Sequence, residues 1–257
     1  MIAARLRDGR DLIAVADGMG GHKGGEIASQ CAVEALVASL EAGRSLHDAV
    51  CDANAAVYAA AQRNPQLSGM GTTLVVLLRS GDRYQIANVG DSRAYQVRRE
   101  GIQQITADHS FLAEALRSKQ MSAEEAKRSR WRNALTRAIG TEAEIEVDTF
   151  GPFEVQQAHT VVLCSDGLHG SVTDEAIALC IQQNTDVWAA AIRLADEAFR
   201  NGSKDNISVA VVRFGERIQV SVSGAPVARA APKPFRLIMS PGRQQRSFLQ
   251  RFFTLFT

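Results

Sequence analysis

Residues 12–25 read LIAVADGMGGHKGG. The apolar run LIAVA has the length of a buried strand, and it stops at an aspartate followed by a glycine-rich stretch that permits tight turns and close backbone approach. The segment therefore predicts a strand that delivers Asp17 into a loop. Upstream, Asp8-Gly9 marks the turn of a hairpin that enters LIAVA. Downstream, Ile27, Val33, Leu36, Val37 and Leu40 recur at helical spacing and predict a helix over about 26–40. A second helix is expected over about 46–62, ended by Asn64-Pro65.

A β-rich block follows: TTLVVLLRS (72–80), RYQIANVGDSRAYQVRR (83–99) and IQQIT (102–106), joined by turns at Gly81-Asp82 and Glu100-Gly101. Connections this short force antiparallel pairing, because a parallel crossover needs a dozen or more residues. The polar stretch 110–130 predicts helix, and strands are expected near 143–150, 159–164 and 207–214. Helices are expected over 173–184 and 187–200. Strands grouped apart from helices, with hairpins among the strands, indicate an α+β fold rather than a doubly wound sheet.

The 257 residues hold 29 Lys and Arg against 28 Asp and Glu, 46% apolar and 22% charged residues, a composition that excludes disorder and a disulfide scaffold. A net charge of +1 gives no reason to expect nucleic acid or an anionic membrane as partner. Residues 215–257 carry seven basic residues against one acid, net +6, which leaves −5 on residues 1–214. That tail also holds Pro226, Pro232, Pro234 and Pro241 and reads as a linker to an apolar end, SFLQRFFTLF. Phe248, Leu249, Phe252, Phe253 and Phe256 share one helical face there, suited to docking on a membrane surface or a partner. Cys31, Cys51, Cys164 and Cys180 form no CxxC pair, and a reducing cytoplasmic compartment fits them best. The opening residues lack a signal-peptide core, and no run of about 18 apolar residues occurs.

Asp17, Asp91, Asp166 and Asp205 each sit where a predicted strand meets a turn. An aspartate in a turn is commonplace, but four at strand ends can converge, and converging carboxylates need a counter-charge. Oxygen donors without a His/Cys cluster point to Mg²⁺ or Mn²⁺ rather than zinc. A nucleotide-binding loop is the competing reading of the glycines, yet the Lys-Ser/Thr pair of a P-loop and the GxGxxG spacing are both missing.

The segments VADGMGGHKGGEIAS (15–29), GMGTTLVVLL (69–78), IANVGDSRAYQV (86–97), TADHSF (106–111), LTRAIGT (135–141), VVLCSDGLHGSVTDEAI (161–177) and SKDNISVAVV (203–212) together resemble the PP2C family of metal-dependent serine/threonine protein phosphatases, in its bacterial branch. The resemblance spans about 12–214 and implies two antiparallel β-sheets packed as a sandwich and flanked by helices. It implies a dinuclear Mn²⁺ or Mg²⁺ centre with a third, weaker position. Asp17 would bridge two ions, the Gly18 carbonyl would bind one, and Asp166 and Asp205 the other, with Asp91 at the third position. Asn206 would orient Asp205 by hydrogen bonding. A hydroxide bridging the ions would attack phosphoserine or phosphothreonine in a protein substrate, in opposition to a serine/threonine kinase. Cys164 then reads as a buried strand residue, not a nucleophile.

Two departures from the family pattern stand out. The upstream strand with a phosphate-binding Arg and an Asn-Glu-Asp motif is not spelled before Leu12, so a first strand is expected to be missing and a sheet edge left open. A catalytically weak, phosphoprotein-binding regulatory module is accordingly the alternative to an active enzyme. Met19 occupies the place of a His found in eukaryotic relatives, and His22 is the candidate general acid.

Overall fold

The computed structural model of the chain describes residues 1–19, 21–119, 121–131, 134–156, 159–215, 219–225 and 235–238. The chain opens with a hairpin, β1 (Ile2–Arg5) and β2 (Asp11–Val15), then the two-residue strand β3 (Gly18–Met19). Helices α1 (Gly21–Glu41) and α2 (Leu46–Arg63) follow, then a 3-10 turn at Pro65–Leu67, β4 (Gly71–Thr72), β5 (Leu74–Ser80), β6 (Arg83–Val89), β7 (Arg93–Arg98) and β8 (Gly101–Gln104). Next come α3 (Phe111–Arg117), α4 (Ala123–Arg128), β9 (Asp148–Glu154), β10 (Thr160–Cys164), α5 (Asp166–His169), α6 (Asp174–Gln183) and α7 (Val187–Arg200). The last elements are β11 (Ile207–Arg213), β12 (Gln219–Ala225) and β13 (Phe235–Ile238).

Two antiparallel sheets form, in the orders β1-β2-β5-β6-β9 and β13-β12-β11-β10-β7-β8, beside the small pair β3-β4. Strand periodicity divides the core into three layers. Ile13, Val15, Val75, Leu77, Val161, Leu163, Ala210 and Val212 fill the space between the sheets. Leu12, Ala14 and Val76 face the other way, onto Leu36, Leu40, Val50 and Val57 of α1 and α2. Val162, Cys164, Val209 and Val211 likewise pack on Ile177, Ile181 and Leu194 of α6 and α7. A central strand covered on both faces is apolar along its length, which is why LIAVA (12–16) and VVLC (161–164) are unbroken runs. Each such aliphatic side chain contributes about 1.5–3 kcal/mol by leaving water.

The Asp8-Gly9 turn closes the first hairpin as expected: Gly9 has φ +88° and the Arg10 N–H donates to Asp8 Oδ1 at 3.0 Å. The three upstream arginines are engaged locally, Arg5 beside Asp11, Arg7 beside Glu41 and Arg10 on Asp8.

Three expectations need revision. The stretch 110–130 breaks into two short helices, with Ser110 capping α3 through a bond from the Ala113 N–H. The strand expected at 143–150 runs instead over Asp148–Glu154, where it pairs with β6 around a register shift between Tyr84 and Ile86. The tail is not a linker throughout: β12 pairs with β11 at all seven positions from Ile207↔Ala225 to Arg213↔Gln219. An uncovered β11 would present a row of free backbone donors and acceptors, and the segment next in the chain supplies their partners. The apolar end at 248–256 lies outside the described residues.

Candidate metal centre

Four connections at one end of the sandwich carry the predicted acids. Asp17 lies between β2 and β3, Asp91 in the turn between β6 and β7, Asp166 begins α5 after β10, and Asp205 precedes β11. Asp17, Asp91 and Asp166 are half-buried and Asp205 is exposed.

The peptide of Asp17 is held on both sides. Its N–H donates to Thr73 Oγ1 at 3.0 Å, and its carbonyl accepts from the Thr73 N–H at 2.8 Å and from Thr72 Oγ1 at 2.9 Å. The Asp91 turn is held as firmly. Gly90 adopts φ +104°, its N–H donates to His109 Nδ1 at 3.1 Å, and its carbonyl accepts from the His109 N–H at 3.0 Å. His109 therefore carries its ring proton on Nε2, which faces Asp148 Oδ2 at 3.2 Å. His169 Nε2 donates to the Asp91 carbonyl at 3.0 Å. Burial, helped by the nearby Arg93 guanidinium, pushes the His169 pKa down to about 4, so the ring is neutral at pH 7.

Asp17 and Asp166 lie close enough for each to shift the other's ionisation. Burial first, then the charges of Asp166, Asp205 and Asp91, raise the Asp17 pKa to about 8. Burial and then Asp166 raise Asp91 to about 7, and burial and Asp205 raise Asp166. Groups that raise one another's pKa in this way form a concentrated negative field that a cation relieves. Among the described residues no three His, Cys, Asp or Glu side chains close on a single point. The arrangement is a pair, Asp17 with Asp166, flanked by Asp91 and Asp205.

The donor set fits a hard divalent ion. Asp166 Oδ1 is buried without a hydrogen-bond partner, an expensive state for a carboxylate oxygen that an ion would satisfy. Asn206 meets Asp205 through its backbone: its N–H donates to Asp205 Oδ1 at 2.7 Å, while its carbonyl accepts from Ser165 Oγ at 3.1 Å. The Gly18 carbonyl oxygen lies against Gly25. His22 falls in α1, and its side chain lies outside the described residues. Burial pushes the Cys164 thiol far above its ordinary range, which suits a core residue and not a nucleophile.

The model of one family, described as protein phosphatase 2C, matches residues 1–207. The chain belongs to this family. The serine/threonine phosphatase stp of Listeria monocytogenes is 36% identical over 217 residues, covering 80% of this chain and 85% of the relative. Among solved structures, the serine/threonine phosphatase Stp1 of Staphylococcus aureus superposes with a TM-score of 0.76 at 33% identity, covering 83% of this chain and 87% of that one. The catalytic domain of the serine threonine protein phosphatase PstP, solved in complex with two manganese ions, gives 0.67 at 35% identity over 82% of this chain and 87% of that one.

His109 and His169, in the matched segments TADHSF and SDGLHG, are structural, while Thr72, Thr73 and Ser92 carry no signal in the sequence beyond their place in GMGTT and VGDSR. Their function is to hold other residues, and that is written in tertiary contacts.

Proposed function

We propose that this chain hydrolyses phosphoserine and phosphothreonine in protein substrates at a dinuclear Mn²⁺ or Mg²⁺ centre. The observation that carries the reading is the buried, partnerless Oδ1 of Asp166 beside Asp17, with Asp91 and Asp205 within range of their charge. Asp17, the Gly18 carbonyl, Asp166 and Asp205 would hold the two ions. Asp91 would hold an ion at a third, weaker position, and the Asn206 peptide N–H orients Asp205. When bound, the ions supply the charge that activates water for in-line attack and that stabilises the phosphoryl oxygens. The chain's own contribution is placement: the peptides of Asp17 and Asp91 are fixed by buried hydrogen bonds, so little reorganisation accompanies the reaction. His22 is assigned as proton donor to the leaving serine or threonine oxygen.

The four cysteines are free, which suits a reducing cytoplasm, and hydrolysis of phosphoserine and phosphothreonine sets the chain against a serine/threonine kinase. The basic, apolar end of the tail is the segment we assign to peripheral docking; it rests on sequence alone, and vesicle binding by chains with and without residues 239–257 tests it. One observation favours a second reading, a phosphoprotein-binding module of weak activity: among the described residues no three acids close on one point.

Hydrolysis of p-nitrophenyl phosphate and of a phosphothreonine peptide by the full chain, with and without Mn²⁺, separates these readings. Manganese-dependent turnover that is lost in Asp17→Asn and Asp166→Asn supports the enzyme. Phosphopeptide binding without turnover supports the binding module instead.

A further inference from the structure

Thr73 stands where the peptide of Asp17 meets the turn that carries Asp91. It accepts the Asp17 N–H at 3.0 Å and returns its own N–H to the Asp17 carbonyl at 2.8 Å. Its hydroxyl shares a 2.7 Å hydrogen bond with Ser92 Oγ. Its methyl side rests on Gly90, where an added Cβ would come within 2.7 Å of both Cβ and Cγ2 of Thr73. Gly90 and Ser92 are the two neighbours of Asp91, so one side chain grips both flanks of that acid while holding the peptide of Asp17. Thr73 is 3% exposed and Ser92 0%, which keeps the hydroxyl pair away from bulk water. A buried hydroxyl that loses its partner is left unsatisfied away from water, so the pair resists stretching.

We propose that the Thr73–Ser92 hydroxyl pair is a spacer that sets the separation of Asp17 from Asp91 and thereby links ion binding at the Asp17–Asp166 pair to ion binding at Asp91. Both are positioning residues and neither touches substrate or ion. The chemistry asks for a hydroxyl at position 73. Valine would keep the methyl contact with Gly90 and lose the bonds to Ser92 and to the Asp17 N–H, whereas serine would keep both bonds and lose the methyl. The far side of the Asp91 turn is fastened independently by His109 and His169, so breaking the spacer leaves the turn attached and alters its distance from Asp17. This inference rests on the metal-dependent reading above.

The test uses the full chain, Mn²⁺ titration by calorimetry, and the Mn²⁺ concentration that half-activates p-nitrophenyl phosphate hydrolysis. Thr73→Val, and Ser92→Ala from the other side of the same bond, are expected to weaken Mn²⁺ binding about tenfold, the low end for outer partners of metal ligands. Thr73→Ser is expected to stay within about twofold of the parent. Ser92→Ala removes a single oxygen, so it reports even where Thr73→Val fails to fold. If both hydroxyl-removing variants bind Mn²⁺ like the parent, or if Thr73→Ser is as impaired as Thr73→Val, the spacer is overturned while the phosphatase reading stands. If the parent itself binds no Mn²⁺, the phosphatase reading falls and this inference falls with it.

Discussion

Gly18 and Gly25 pack backbone against backbone: a Cβ on Gly18 would lie 2.0 Å from the Gly25 carbonyl oxygen, and one on Gly25 would lie 2.5 Å from that of Gly18. The start of α1 is thereby pressed onto β3, next to Asp17. Side chains cannot yield here because the obstacle is main chain. Gly25→Ala should therefore destabilise the protein by about 3 kcal/mol, the upper range for overpacking. Gly24 is the control, since its nearest neighbour, Met70 Cβ, stands at 3.4 Å; Gly24→Ala should melt within a few degrees of the parent. Equal melting temperatures for the two variants would refute the close contact.

The acids make stability depend on pH and metal with a defined sign. Asp17 at about 8 and Asp91 at about 7 both lie above the ordinary aspartate value of 3.8. The native state then binds more protons than the unfolded chain between those limits, so stability of the chelator-treated protein falls as pH rises from about 4 towards 8. Mn²⁺ at a hundredfold excess over its Kd should add about 2.7 kcal/mol, or roughly 5–10 °C in a domain of this size. Thermal melts at pH 6, 7 and 8 with and without chelator read both effects, and a chelator-treated protein that gains stability towards pH 8 would contradict the field.

His109 is wholly buried, and its ring accepts the Gly90 N–H. His109→Leu fills the space and leaves that N–H orphaned. The expected loss is about 2–3 kcal/mol in urea denaturation. A variant as stable as the parent would show that the ring does not hold the turn.

Ending the chain after residue 214 strips β12 from β11 and bares seven residues of strand edge. Such a chain should self-associate and lose solubility. Light scattering on the shortened and full chains decides this: a monodisperse shortened chain with an unchanged melting temperature would remove β12 from the stabilising elements.

The strands buried on both faces were legible in the sequence because continuous apolar runs and turn dipeptides record local structure. α1 and α2 emerged from 3.6-residue spacing, though α1 begins at Gly21, ahead of its first periodic residue, because the contact with β3 overrides the low helix propensity of its glycines. The acids were legible because each terminates such a run. β12 was not, although Gln219, Val220, Ser221, Val222 and Ser223 alternate with a period of two; the prolines and arginines around them dominate that region's composition. The hydroxyl and histidine fastenings were illegible for a different reason. Thr73 and Ser92, or His109 and Asp148, are distant in sequence, and nothing local marks either member as a partner.

The order of the strands also governs how the centre comes into being. Tyr95 pairs with Val162 across the middle of the larger sheet, and the four acids arrive from the ribosome at positions 17, 91, 166 and 205. No fragment short of the whole sandwich brings them together, and closure of such distant pairings is slow. On the metal-dependent reading, an ion held by all four acids would be captured only once the sandwich has closed. Ion affinity becomes a gauge of how completely the sandwich has closed.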